Sequence, residues 1–401
     1  MVNEKHESVI LGRRVVKKAE RIANSFYEHS RIFDHRREIA IPRLHRDEIM
    51  ISNLLGRGGY SDVYEVHAIE KISDDKKTFS NDQQERRNDL ATQAPKGIFA
   101  IKYLSRNTMK NPDRYINGAS DLVIEAKLLS SISHPNIVTL HAISSDGVEG
   151  FRHFVEGNYF IITDKLECTV KDMIESWAQR NDCLTKELPK CNQNRLFQNS
   201  PALRDLFLTR VTVAADLAKA LSYLHSKKII FRDLKGDNIG FDKTGTLKLF
   251  DFGLAKELDP RELLHDNIYQ MTGMTGTQRY MAPEVMKNMP YNLSADTYSY
   301  SIVIWEIISL KKAYTGMGSS HHFHHVAECN NRPEVDPAWP SALSTLITCG
   351  WHSDLSKRPD MSVVSRGMEK CMEAVHLLSK PRIPSRRTMH RGRVSDKARA
   401  A

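Results

Sequence analysis

The chain has 401 residues, 40% hydrophobic and 27% charged, which fits a soluble globular protein of about two to four domains. It carries 58 Lys+Arg against 49 Asp+Glu, a net charge of +9. Residues 1–46 hold 11 Lys/Arg and 6 Asp/Glu, and residues 379–401 hold 8 and one; the surplus therefore sits at the two ends, the stretch between is mildly acidic, and a basic nucleic-acid face over the main body is excluded.

In chain order, the opening MVNEKHESVI lacks a signal-peptide core, and Val2 stands where N-myristoylation needs Gly. Val15, Val16, Ala19, Ile22, Ala23, Phe26 and Tyr27 recur at helical spacing. They predict a basic amphipathic helix within a 1–47 extension, which either packs on the main body or meets a membrane surface or partner. Short β-rich runs follow at 51–55, 62–66, 98–104, 137–143 and 158–163, interrupted by one helical stretch at 121–132. Strands first with a single helix predict a small five-stranded antiparallel sheet carrying one helix. The polar stretch 71–96 reads as a flexible surface insertion. Beyond Lys165 the pattern turns helical. A striped helix is predicted over 204–226 and a buried one over 295–310, with a second polar insertion at 178–202. Residues 379–401 are Arg-rich, lack periodicity and read as a disordered tail. No run approaches the ~18 apolar residues of a membrane span. The six cysteines form no CxxC pair, so reduced thiols in the cytoplasm are expected, with the nucleus as the alternative.

Six local patterns carry chemistry. In LLGRGGYSDVYEV (54–66), Gly56, Gly58 and Gly59 lie between two strands, where missing Cβ atoms let backbone N–H groups approach phosphate oxygens. Lys102 ends FAIK on the next long strand and can reach phosphates as a point charge. Glu125 lies in the helical stretch and can pair with it. In IIFRDLKGDNIGFD (229–242), Asp233 enters a tight loop followed by Lys235 and Asn238: a carboxylate to accept a hydroxyl proton and an amide oxygen for a hard cation. Asp251 in LKLFDFGLA (247–255) suits Mg²⁺. GTQRYMAPE (276–284) is followed at a distance by SKRPD (356–360).

These motifs, in this order, resemble those of eukaryotic-type protein kinases over about residues 48–378. The resemblance implies an α+β fold of two lobes, an N-lobe over 48–165 and a mostly helical C-lobe over 166–378, with ATP in the cleft between. It implies that Lys102, held by Glu125, binds the α/β-phosphates, that Asp233 is the base for the substrate hydroxyl with Lys235 beside it, and that Asn238 and Asp251 hold Mg²⁺. Leu55, Gly56, Arg57, Gly58, Gly59, Val63 and Ala100 would surround ATP, with Thr163 as gatekeeper and the backbone of Asp164 and Leu166 on adenine. Lys235 and Thr277 match the serine/threonine enzymes, and DTYSYSIVIWEI and CGWHSDLSKRPD resemble the tyrosine-kinase-like group. Leu129, Leu140, Phe231 and Phe252 match the stacked spine anchored by Asp296, and Glu284 and Arg358 match a structural ion pair. Protein substrates are implied, while the basic ends suggest an anionic partner, a nuclear-localisation signal or a solubilising role.

Some positions depart from the pattern. Ser61 replaces the third glycine, Phe231 the usual His, and Gly240 the apolar floor beneath adenine, a space that Phe250 is expected to fill. Gly240 and Phe250 keep open the alternative of a pseudokinase scaffold. Arg232 before the catalytic Asp points to activation-loop phosphorylation, with Thr272 and Thr275 as candidates. The HHFHH run (321–325) is either a lower-lobe surface or a metal site.

Overall fold

The computed structural model describes residues 2–70, 80–186 and 200–379. The basic tail after Ser379, Cys191 and parts of both polar insertions lie outside these. Helix α1 (Val2–His29) and the short α2 (His35–Ala40) precede strand β1 (Arg43–Leu44). Strands β2 (Ile49–Arg57) and β3 (Ser61–Ile69) form the glycine hairpin. Helix α3 (Asn81–Gln93) leads to β4 (Phe99–Leu104), α4 (Arg106–Met109) and α5 (Pro112–Ser131). Strands β5 (Leu140–Ser144) and β6 (Phe160–Asp164) complete a six-stranded sheet in the order β1-β5-β6-β4-β3-β2.

The five strands read from the sequence are present, and β1 adds a sixth. It pairs parallel to β5, Arg43 opposite Ile143. Ile143 N–H donates to the Pro42 carbonyl at 3.1 Å and Ser145 N–H to that of Leu44 at 2.8 Å. Two residues are too few for a period-2 pattern to register.

Residues 81–93 correct the reading of a flexible insertion, and with α5 they give this lobe more than one helix. Ser80 caps α3, its hydroxyl accepting from Gln83 N–H. Leu90 and Ala94 pack with Phe99, Ile101, Tyr103 and Phe160 on the outer face of the sheet. Arg87, 5% exposed, forms an ion pair with the equally buried Glu48 and donates to the Arg43 carbonyl at 2.9 Å. Few apolar residues suffice because a paired Arg supplies the rest of the contact.

Helix α5 starts where Asn111 accepts from Arg114 N–H at 3.0 Å and Pro112 takes the first turn. The second lobe begins with β7 (Cys168–Thr169) and α6 (Val170–Lys186). Helix α7 (Pro201–Ser226) buries Leu206, Phe207, Val211, Ala214, Leu217, Leu221 and Leu224. Strands β8 (Ile229–Ile230), β9 (Ile239–Phe241), β10 (Leu247–Leu249) and β11 (Lys256–Glu257) flank the loops at the cleft. The helix Ser294–Ser309 is buried from Ala295 to Ile308, as its nearly all-apolar sequence requires. One apolar cluster runs through both lobes and takes in Val15, Val16 and Ala19 of α1. Among the described residues no helix is long and apolar enough to cross a membrane.

Candidate active site

The glycine hairpin, β4 and β6 put their site residues in register. Gly56 faces Val63, Val63 faces Lys102 and Ala100 faces Thr163. A Cβ at Gly56 or Gly59 would meet nothing within 4 Å, so both glycines border open space. Gly58 N–H closes the turn onto the Ser61 carbonyl at 2.7 Å. Leu55, 38% exposed, and Arg57 lie on the same strand end.

Lys102 Nζ donates to Glu125 Oε2 at 2.6 Å and to Asp251 Oδ1 at 2.8 Å. Three elements therefore converge on one ammonium: β4, α5 and the turn after β10. Burial pushes the Lys102 ammonium down, but the Asp251 and Glu125 carboxylates outweigh it and hold its pKa above the ordinary value. Lys102 pulls Asp251 below the carboxylate range, whereas burial holds Glu125 above it. Asp251 adopts φ +67°, and Arg232 in the facing loop φ +69°. A non-glycine residue keeps such a conformation only where its surroundings fix it. For Arg232 they do: its N–H donates to Asp296 at 2.9 Å and its Nε to the Leu254 carbonyl at 2.6 Å.

Asp233, 8% exposed, is held on both oxygens. Oδ1 accepts from Thr277 N–H and hydroxyl, each at 2.8 Å. Oδ2 accepts from Lys235 Nζ at 2.6 Å and Asn238 Nδ2 at 3.1 Å. Lys235 Nζ also reaches the Thr277 hydroxyl at 3.1 Å. The Asn238 amide further donates to the Asp233 carbonyl at 2.9 Å, which leaves its own carbonyl oxygen for a cation. Asp251 keeps a carboxylate oxygen beyond the one on Lys102, and its side chain is 43% exposed to the cleft. One carboxylate and one amide oxygen fit Mg²⁺, which takes its other ligands from phosphate and water. The spine is stacked as expected: Phe231 and Phe252 meet edge to face at 5.1 Å, both fully buried, with Leu129 and Leu140 also buried.

At the hinge, among the described residues, Leu166 N–H has no hydrogen-bond partner. The Asp164 carboxylate turns away onto Thr139 N–H at 2.9 Å, His141 Nε2 at 2.7 Å and Lys248 Nζ at 3.5 Å. Burial raises its pKa, yet these partners hold it below the usual value.

The position of Gly240 is packed by the hinge. A Cβ on Gly240 would lie 2.8 Å from Leu166 Cδ1 and 3.1 Å from the Cys168 carbonyl oxygen. The hinge Leu166 thus fills space that a larger residue at 240 would take. Gly240→Leu must displace Leu166, and overpacking of this kind costs about 1–3 kcal/mol. ATP affinity in a direct binding titration is expected to fall roughly tenfold; a gain in affinity would refute the packing.

Three site residues escaped the sequence reading. Arg114, Gly118, Asp121 and Glu125 follow one another at 4, 3 and 4 residues along one face of α5. Arg114 donates to the Gly59 carbonyl and lies 5.3 Å from the Tyr60 ring. Gly118 takes the Tyr60 side chain: a Cβ there would sit 2.9 Å from Tyr60 Cβ. Asp121 lies against Gly253, and burial together with the Asp251 charge pushes its carboxyl up to about 7. A polar and small-residue stripe at helical spacing was the available signal.

In the HHFHH run, His321 and His325 have ring centroids 6.1 Å apart, and His324 bonds Glu328 at 2.5 Å. Among the described residues no three His, Cys, Asp or Glu side chains are grouped to hold a metal.

The sequence model of the protein kinase domain matches residues 88–368. The serine/threonine/tyrosine-protein kinase HT1 of Arabidopsis thaliana is 33% identical over 194 residues, 48% of this chain and 48% of the relative. The serine/threonine-protein kinase STY46 of the same plant is 35% identical over 167 residues, 42% of this chain and 28% of the relative. The dual specificity protein kinase shkB of Dictyostelium discoideum is 29% identical over 187 residues, 46% of this chain and 28% of the relative. The matches thus span about half of these relatives or less. With the family model covering most of the chain and its motifs meeting at one cleft, the chain belongs to the protein kinase domain family.

Proposed function

We propose that the chain is a serine/threonine protein kinase that transfers the ATP γ-phosphoryl group to a hydroxyl of a protein substrate. The observation that carries this reading is the closed set Asp233–Lys235–Thr277, in which one ammonium bridges the carboxylate and the Thr hydroxyl. Lys102 holds the α/β-phosphates and Glu125 keeps it in place. Gly56, Gly58 and Gly59 offer backbone N–H groups to phosphate, and Leu55, Val63, Ala100 and Thr163 border the adenine. Asp233 orients the substrate hydroxyl and receives its proton as the oxygen attacks phosphorus and ADP departs. Lys235 neutralises charge beside it. Asn238 and Asp251 would hold Mg²⁺, which would neutralise phosphate charge there. Positioning and charge neutralisation supply most of the rate.

Arg232 Nη1 lies 3.2 Å from the Thr272 hydroxyl, and Thr272 and Thr275 hydroxyls are 3.2 Å apart. A phosphate on Thr272 would find this guanidinium without rearrangement. The five described cysteines are free thiols, which favours a reducing compartment such as the cytoplasm.

The test is transfer from ATP·Mg²⁺ to a basic protein rich in Ser and Thr, with Asp251→Asn as control. Wild-type transfer and its near-complete loss in the variant are expected; equal transfer in both would overturn the mechanism, and wild-type ATP binding without transfer would favour the scaffold reading. In the same assay phosphatase treatment is expected to reduce the rate, and an unchanged rate would remove the loop-phosphate switch.

A further inference from the structure

Helix α5 carries the Glu125 carboxylate on one face and Lys127 two residues on. The α-helical period of 100° per residue sends Lys127 to the far side, away from the cleft. There it is 8% exposed and enclosed by the N-terminal extension. Its ammonium pairs with Glu38 of α2, donates to the Tyr27 hydroxyl at 3.0 Å, and lies 4.3 Å from the Tyr27 ring and 5.1 Å from the Phe33 ring. Tyr27 in turn donates to the other Glu38 oxygen at 2.7 Å. A buried cation thus meets a carboxylate, a hydroxyl and two aromatic faces, all supplied by residues 27–38.

The extension grips α5 at further points. Val15, Val16 and Ala19 of α1 are buried in the same cluster as Leu122, Val123 and Ala126. Arg37 donates to the Ser131 carbonyl at 3.2 Å and that of Ile132 at 3.5 Å, at the helix C-terminus. Outside α5, Gly12 of α1 lies so close to the Arg152 backbone that a Cβ would clash with its carbonyl oxygen. Between α1 and α2 the chain reaches a different element: Ser30 Oγ donates to Glu257 Oε2 at 2.5 Å and Arg31 N–H to Glu257 Oε1 at 2.9 Å. Glu257 belongs to β11, which follows the Asp251 turn and pairs with β8 at the entrance to the Asp233 loop.

One segment therefore binds α5, which carries Glu125, and β11, the strand that follows the Asp251 turn. We infer that the N-terminal extension is a clamp in cis, with Lys127, Glu38, Tyr27 and the Ser30–Glu257 contact as positioning residues that hold α5 in the rotation where Glu125 faces Lys102. This rests on the kinase reading above. The clamp touches neither nucleotide nor substrate; it acts through the orientation of α5 and the strand after Asp251. Val15, Val16 and Ala19 of its stripe are covered within the molecule, while Arg13, Arg14, Lys17 and Lys18 face outward.

Two full-length variants test it. K127M keeps the unbranched stem against Tyr27 and Phe33 but removes the ammonium. E257Q weakens the second grip at a partly exposed position. In both, turnover per folded molecule at saturating ATP and substrate is expected to fall about tenfold, the mark of a shifted α5 equilibrium, while the substrate KM stays within about twofold. Hydrogen exchange is expected to speed up over 118–131 and 252–257, with the helix 294–309 unchanged. Wild-type turnover and protection in both variants would overturn the clamp. So would a loss of activity matched by loss of folded protein, with unchanged turnover per folded molecule, since that marks a purely structural role. Should the wild-type chain transfer no phosphate at all, the kinase reading fails, while the exchange pattern still reports on the clamp.

Discussion

Asp233→Asn is expected to lower turnover by about 10²–10⁴-fold with ATP affinity close to wild type. The amide keeps the size of the carboxylate, but its one oxygen can accept only on the Thr277 side or on the Lys235 side, and its NH2 then faces donors on the other. What it loses is the capacity to take the hydroxyl proton and the negative charge that balances Lys235. In the proposed mechanism the nucleotide is held by other residues, Lys102 and Asp251, which pair with each other at 2.8 Å. A steady-state comparison with melting controls separates the two functions. Turnover within about tenfold of wild type would mean that Asp233 is not the base.

The second large effect concerns stability. Arg358 donates to Glu284 through both terminal nitrogens, at 2.6 and 2.8 Å, and its side chain is fully buried. Its Nε reaches the His352 carbonyl at 2.8 Å, and its guanidinium lies 5.2 Å from the Tyr298 ring. Arg358→Met leaves the Glu284 carboxylate buried without its cation, at a cost of about 3–5 kcal/mol. For a chain of this size that predicts a Tm lower by roughly 10 °C. Adding Glu284→Gln to Arg358→Met removes the stranded charge and is expected to restore part of the loss. A single variant that melts within about 2 °C of wild type would show that the pair is not a stabilising tie.

Much of the site was legible because its parts are local. A glycine hairpin, a strand Lys, a loop Asp with Lys and Asn at fixed offsets, and a strand-end Asp are each visible within a dozen residues. Their order then implied how they meet, and Lys102, Glu125 and Asp251 do meet. What was missed depends on contacts between distant segments. Strand β1 is two residues long and its partner is β5, one hundred residues on. Residues 81–93 look polar because Arg87 is paired with Glu48 and apolar contact comes from Leu90 and Ala91, with Ala94 just beyond. A hint lay elsewhere: β4 reads Phe99-Ala100-Ile101-Lys102-Tyr103-Leu104, apolar on both faces, and such a strand needs a cover on each side. The contact of the hinge Leu166 with Gly240 was missed because it joins segments far apart in sequence.

The grip of Ser30 on Glu257 spans 227 residues of chain. During synthesis, α1 leaves the ribosome long before α5, and α5 before β11. At about 5–20 residues per second the delay before Glu257 appears is tens of seconds or less, yet long against helix formation. Val15, Val16 and Ala19 gain their cover once residues 122–126 of α5 are made, whereas Ser30 waits for Glu257. The extension can therefore dock on α5 well before its second grip exists, and the contact with β11 is closed only when that later strand is in place.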